Sequence, residues 1–134
     1  MSPWNKQPVV ANNAPKAIGP YSMAVKAGPF LFISGQLGLD PATGDLVSGG
    51  IAAETRQALS NLKAILEAAG SSLEAVVKTT VFLRDMGEFS TMNQVYNEFF
   101  VQNPPARSAI QAAALPRGAA VEIEAIALLP DESL

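Results

Sequence analysis

Between Thr55 and Ala69 the apolar positions Ala58, Leu59, Leu62, Ile65, Leu66 and Ala69 recur every three or four residues. That spacing gathers side chains on one face of a helix. Gly70 follows, where a helix C-terminus closes most easily with a left-handed glycine. A second stripe, Phe89, Met92, Val95, Tyr96 and Phe99, has the same period and stops before Pro104-Pro105. Strand patterns fill the rest. Met23 to Lys26 and Phe30 to Ser34 flank the turn residues Ala27-Gly28-Pro29 and predict a hairpin. Val76 to Leu83 holds the β-prone run Val-Val-Lys-Thr-Thr-Val-Phe-Leu. Ser108 to Ala113 and Val121 to Leu129 lie either side of the turn signal Leu115-Pro116-Arg117-Gly118. With a first strand near Val9, the order is β-β-β-α-β-α-β-β. It predicts an α+β fold, a single-layer mixed β-sheet with two helices packed on one face. The other face is left apolar and uncovered, and a partner chain is its simplest cover.

A length of 134 residues, with 49% apolar and 16% charged side chains, allows one well-cored domain spanning 1–134. A mean hydropathy of +0.20 is high for a small monomer and adds to the expectation of an oligomer. Two absences restrict the chemistry further. The chain has no cysteine and no histidine. Metal sites built on those ligands, Cys–His and Ser–His–Asp nucleophiles, and disulfides are all excluded. Catalysis falls to carboxylates, Arg, Lys, Tyr, Ser, Thr and the backbone, with no metal or cofactor expected. The net charge is −3 and the nine basic residues are scattered, which argues against an extended nucleic-acid surface. No apolar run reaches the roughly 18 residues of a membrane span. Met1-Ser2-Pro3-Trp4-Asn5-Lys6 does not resemble an export signal, and Glu132-Ser133-Leu134 lacks the basic residue of a peroxisomal address. The expectation is a cytoplasmic protein.

Four stretches are unlike ordinary strand or turn filler. They are Ile18-Gly19-Pro20-Tyr21-Ser22, Ile33-Ser34-Gly35-Gln36, Pro105-Ala106-Arg107-Ser108 and Val121-Glu122-Ile123-Glu124-Ala125. Arg107 starts a strand behind two prolines, and its planar guanidinium suits a two-bond grip on a carboxylate. On its own it reads more readily as a surface arginine at a strand end. Glu122 and Glu124 share one face of a strand whose other face is Val121, Ile123, Ala125 and Ala127. They are either an acid–base pair or a solvated outer face. Gly35 is either a place where a ligand nears the backbone or a turn glycine. Tyr21 can orient a substrate or cap an apolar contact, and Asn93 lies off the apolar stripe of the second helix. Ser34-Gly35-Gln36-Leu37-Gly38 lacks the spacing of a phosphate loop.

Together these stretches closely resemble the Rid (YjgF) family. The blocks Ala17-Ile18-Gly19-Pro20-Tyr21-Ser22, Ile33-Ser34-Gly35-Gln36, Val76-Val77-Lys78-Thr79-Thr80-Val81, Pro105-Ala106-Arg107 and Ile123-Glu124-Ala125-Ile126-Ala127 occur in the family's order, from about Ala14 to Leu129. Arg107 and Glu122 match its founding imine-deaminase subgroup. The resemblance implies a chorismate-mutase-like homotrimer with active sites between chains. It implies hydrolysis of 2-iminobutanoate and 2-iminopropanoate, released by pyridoxal-phosphate enzymes, to 2-keto acids and ammonia. By the same resemblance Arg107 would bind the 2-imino acid's carboxylate and Glu122 would activate water. Tyr21, Ser34, Gly35 and Asn93 would line the cleft. Ala109 stands where bacterial relatives often carry cysteine, so it can contribute only through its backbone.

Imines hydrolyse unaided in water, so orientation, a placed water and a general base meet the demand. If Ser108–Ala113 and Val121–Leu129 formed a tight hairpin, Glu122 would pair near Ala113. Arg107 would then lie on the order of 20 Å away at ~3.3 Å per residue. Either the connection is not a tight hairpin, or Arg107 of one chain faces Glu122 of its neighbour, and the second is the expectation. Two other readings stay open: an endoribonuclease or translation inhibitor, and a module that binds keto acids without turnover.

Overall fold

The structure, a computed structural model, describes residues 5–130. The terminal residues that bear on export or peroxisomal addressing lie largely outside that range. Six strands form one sheet: β1 (Lys6–Val9), β2 (Ala24–Ala27), β3 (Phe30–Leu37), β4 (Val76–Leu83), β5 (Ala106–Gln111) and β6 (Val121–Leu128). Helices α1 (Gly50–Ala68) and α2 (Phe89–Phe99) complete the expected order. The sheet runs β1-β2-β3-β6-β4-β5 and is antiparallel except for the β4–β5 pair. It is an α+β sheet with both helices on one face, as the sequence pattern predicts. Among the described residues no helix is long and apolar enough to cross a membrane.

Helix α1 buries Ala58, Leu59, Leu62, Ile65 and Leu66 completely, the stripe its spacing marks out. It begins earlier than that stripe, because Gly49 and Gly50 turn the chain with φ of 117° and 72° and Ile51 is already buried. Its end is a Schellman closure. Gly70 has φ 81° and donates to the Glu67 carbonyl, and Ser71 donates to that of Leu66. Leu31, Val81, Leu83, Ile123 and Ala127 meet α1 and α2 from the sheet, all with no exposed surface.

The predicted hairpin from β2 into β3 is present, with Ala27 opposite Phe30 and Gly28 at φ 59°. Strand β3 does not stop at Gly35. It continues to Leu37 through an irregularity between Ile33 and Gln36, where its register against β6 shifts. The glycine that looks like a terminator in the sequence sits instead inside a bulge.

The tight hairpin between the last two strands is not formed. Strand β4 lies between them, pairing with β5 on one side and β6 on the other. The connection 112–120 straddles the end of β4, where Ala112 N donates to Leu83 O and Arg84 N donates to Ala120 O, each at 2.9 Å. The partners of Glu122 are Phe82 and Leu37, not Ala113. A turn tripeptide shows that the chain reverses, but not which strand fills the space between the two arms. Here a β-prone strand with one fully buried face takes the central place, and β5 is left at the edge.

The face away from the helices exposes Phe30, Phe32, Ile110 and Leu128. Phe30 and Phe32 oppose Leu128 and Ile126 in register. The expected apolar face is therefore real, but it is not apolar throughout. Lys78, Thr80, Ser108, Glu122 and Glu124 alternate onto it from β4, β5 and β6.

Candidate active site

Glu122 stands on the open face of β6 and leans over the β3 bulge. A methyl group added at Gly35 would come within 2.8 Å of Glu122 Cδ and 3.0 Å of its Cγ, closer than side-chain carbons pack. Gly35 is therefore the floor on which the Glu122 carboxylate rests. A cleft of about 490 Å³ opens here. Its walls include Ile18, Tyr21, Ser34, Gly35, Glu122 and Glu124. Burial among these walls raises the Glu122 pKa above the ordinary carboxylate range, and the like charge of Glu124 raises it further.

Local bonds hold the cleft walls. Ser34 Oγ donates to the Ser22 carbonyl at 2.6 Å and ties the bulge to the 18–22 loop. In that loop Ile18 N donates to Tyr21 Oη at 3.3 Å, and the half-exposed Tyr21 ring turns back over Gly19. Gln36 Nε2 donates to Ser34 O at 3.0 Å. Gln36 and Pro116 line the same cleft; both fall in stretches that stand out in the sequence, but neither reads there as a site residue, since a buried glutamine and a turn proline have ordinary structural uses.

Arg107 belongs to a different place. Its register partner is Thr79, whose partner on β6 is Ala125, and all three side chains point toward the helices. Arg107 Nη1 donates to Asn93 Oδ1 at 2.7 Å. The guanidinium carbon lies 4.8 Å from the Tyr96 ring centre and 5.4 Å from that of Phe89. Among the described residues Arg107 makes no ion pair, so the rest of its donor fork is open to an anion. Ala109 follows two residues along on the same side and packs against the core. Phe89 and Tyr96 carry no sequence signal as site residues, because both fall on the apolar stripe of α2 and read as core.

The predicted residues thus form two groups. Tyr21, Ser34, Gly35 and Glu122 line one cleft, whereas Arg107, Asn93 and Ala109 cluster between β5 and α2. Arg107 is two strand spacings and three residues from Glu122, an offset of about 14 Å between backbones at ~4.8 Å per strand and ~3.3 Å per residue. Their side chains also leave the sheet on opposite faces. One small substrate cannot touch both residues of one chain. A tight hairpin does not account for that separation; the intervening β4 and the odd offset along β6 do.

Among the described residues no three His, Cys, Asp or Glu side chains converge as a metal site. The family model described as Endoribonuclease L-PSP matches residues 11–129. A RutC family protein of Pyrococcus horikoshii is 56% identical over 122 residues, which cover 91% of this chain and 97% of that protein. The human protein named 2-iminobutanoate/2-iminopropanoate deaminase is 51% identical over 128 residues, 96% of this chain and 93% of the relative. The crystal structure of RidA from an Antarctic Psychrobacter matches with a TM-score of 0.89 at 47% identity, covering 92% of this chain and 99% of that one. Agreement of this extent, over a range that spans the cleft loops and both charged positions, makes the chain a member of the Rid (YjgF) family.

Proposed function

We propose that this protein is a 2-iminobutanoate/2-iminopropanoate deaminase, acting as a homotrimer in which Arg107 of one chain completes the Glu122 cleft of the next. The observation that carries the chemistry is the Glu122 carboxylate, desolvated over Gly35 and facing open space. The human relative's name supplies the substrate class. The separation of Arg107 from Glu122 within one chain, together with the exposed Phe30, Phe32, Ile110 and Leu128, supports the shared site.

The substrate's carboxylate sits in the Arg107 fork, which fixes the imine carbon relative to Glu122. Glu122 takes a proton from water as the oxygen adds to the C=N carbon, and passes it to the imine nitrogen. The tetrahedral adduct then carries hydroxyl and amine on one carbon, and Glu122 is again ionised. Glu122 next takes the hydroxyl proton as the C=O bond forms and delivers it to the nitrogen as the C–N bond breaks, so that ammonia and the 2-keto acid leave. One water is consumed and no redox partner is needed. A carboxyl with a raised pKa suits both halves of this exchange better than an ordinary one. Polyanionic RNA is a poor match for a net charge of −3 and a cleft lined by two carboxylates.

The direct test is imine hydrolysis, with an amino-acid oxidase or threonine dehydratase generating the substrate in place. No acceleration of keto-acid release over the uncatalysed rate would overturn the reading. Two variants sharpen it. Arg107→Lys is expected to lose nearly as much kcat/KM as Arg107→Ala, because lysine keeps the charge but not the planar fork. Near-normal kcat/KM in the lysine variant would mean that net charge suffices. Gly35→Ala should displace the Glu122 carboxylate, at a packing cost of about 1–3 kcal/mol. Activity should fall at least tenfold, by an order-of-magnitude estimate for a misplaced base, while circular dichroism stays unchanged. Full activity would show that the carboxylate does not depend on that floor.

A further inference from the structure

We propose that Thr79 and Tyr96 are positioning residues for Arg107: a buried hydroxyl pair that locks the aromatic ring against which the guanidinium lies, and so sets its grip on the substrate carboxylate. The identity of that substrate rests on the imine-hydrolase reading, but the positioning does not.

Thr79 is the polar exception on the helix-facing side of β4, where Val76, Val81 and Leu83 are all buried and apolar. Thr79 itself has no exposed surface. A hydroxyl there is costly unless it is bonded. Its partner is the Tyr96 hydroxyl, 2.7 Å away and also buried, reaching down from α2. The bond fixes the direction in which the Tyr96 side chain points. Phe100, with its ring centre 4.7 Å from that of Tyr96, packs beside it. Arg107 stacks on the ring thus held, and Thr79 is also its backbone partner across the parallel β4–β5 pair.

Three elements meet here, with β4 supplying the anchor, α2 the platform and β5 the cation. Asn93, one helical turn before Tyr96, takes one guanidinium bond and sets the in-plane rotation of the fork. The Tyr96 ring sets its plane. A long arginine on an edge strand would otherwise sample many rotamers, and the two-bond grip needs one of them. Burial keeps the Tyr96 phenol above its ordinary pKa, with the Thr79 bond and the Arg107 charge acting in the opposite sense. The platform therefore stays uncharged at neutral pH.

The test uses the full chain and two probes, the generated imine for turnover and pyruvate for carboxylate binding by calorimetry. Thr79→Val and Tyr96→Phe should each raise KM and weaken pyruvate binding by about tenfold, as orientation of the fork is lost. In both, kcat should fall less than affinity does, because Glu122 is untouched and the guanidinium is still present. The double variant should be no worse than either single one, since both remove one device. Thr79→Ser keeps the hydroxyl and should restore affinity. In an Arg107→Ala background, Thr79→Val should change nothing further in KM or binding. Folded variants with unaltered KM and pyruvate affinity would overturn the proposal, and so would an equal loss persisting without Arg107. If Thr79→Val fails to fold, Tyr96→Phe, which keeps the ring, decides the matter by the same criteria. A wild-type protein that binds pyruvate but does not hydrolyse imines would remove the function and leave the positioning to be judged by binding. One that binds no pyruvate would remove the carboxylate grip and this proposal with it.

Discussion

Arg107→Ala chains and Glu122→Gln chains, each nearly inactive alone, are expected to regain activity when co-expressed. In a shared site each interface joins Arg107 of one chain to Glu122 of the next. With random assembly about a quarter of interfaces carry both intact residues, the product of two probabilities of about one half. No such gain is expected if one chain supplies both groups. The structure makes this a severe test, because the two side chains leave opposite faces of the same sheet. Differently tagged chains establish that subunits mix and that neither substitution blocks assembly. Verified mixed oligomers as inactive as their parents would place the two residues in one chain. Sedimentation at micromolar concentration giving a 14.0 kDa monomer would remove the shared site altogether.

Glu122→Gln should lower kcat/KM by about 10²–10⁴-fold, the usual worth of a general base, while pyruvate binding survives. A module that only binds keto acids would be indifferent to the change. The pH dependence carries a sign that can be checked. Glu122 must be ionised to accept a proton from water. Its pKa is raised by burial first and by Glu124 second, so the acidic limb of the kcat/KM profile should lie above the ordinary carboxylate range. Activity should fall as pH drops through it. Removing the neighbouring charge in Glu124→Gln should shift that limb downward. A limb at the ordinary position in the wild-type enzyme would mean that Glu122 is not the base.

Stability should move in the opposite sense to activity. Between the ordinary carboxylate range and the raised value, the folded state holds a proton at Glu122 that the unfolded chain has released. The contribution of Glu122 to stability is therefore fully present below the unfolded pKa and is lost as pH rises through the folded one. Glutamine carries no such charge, so the Glu122→Gln protein should be at least as stable as wild type at neutral pH. A carboxylate held over a glycine floor and beside a like charge carries a stability cost at neutral pH, as expected of the general base proposed for this cleft.

Local pattern determined a good part of this protein. The α1 and α2 stripes, the Gly70 closure, the span of β4 and the alternation of β6 all follow from periods of 3.6 and 2, which a single chain segment enforces without reference to the rest. The same alternation put Glu122 and Glu124 on one face and Val121, Ile123 and Ala125 on the other, as found. The absence of histidine and cysteine narrowed the chemistry before any geometry was known. What only the tertiary structure decided concerns relations between segments distant in the chain. Strand β4 separates β5 from β6 because pairing is chosen by burial across the whole sheet, and the turn at Pro116-Arg117-Gly118 holds no information about that choice. Gly35 lies inside a bulge rather than at a terminus, and Glu122, far along the chain, packs against it. Tyr96 and Thr79 read as core and strand filler, and only the approach of α2 to the β4–β5 edge turns them into the setting of Arg107. Periodicity says which way a side chain faces; the meeting of faces is set by long-range packing, which no local window contains.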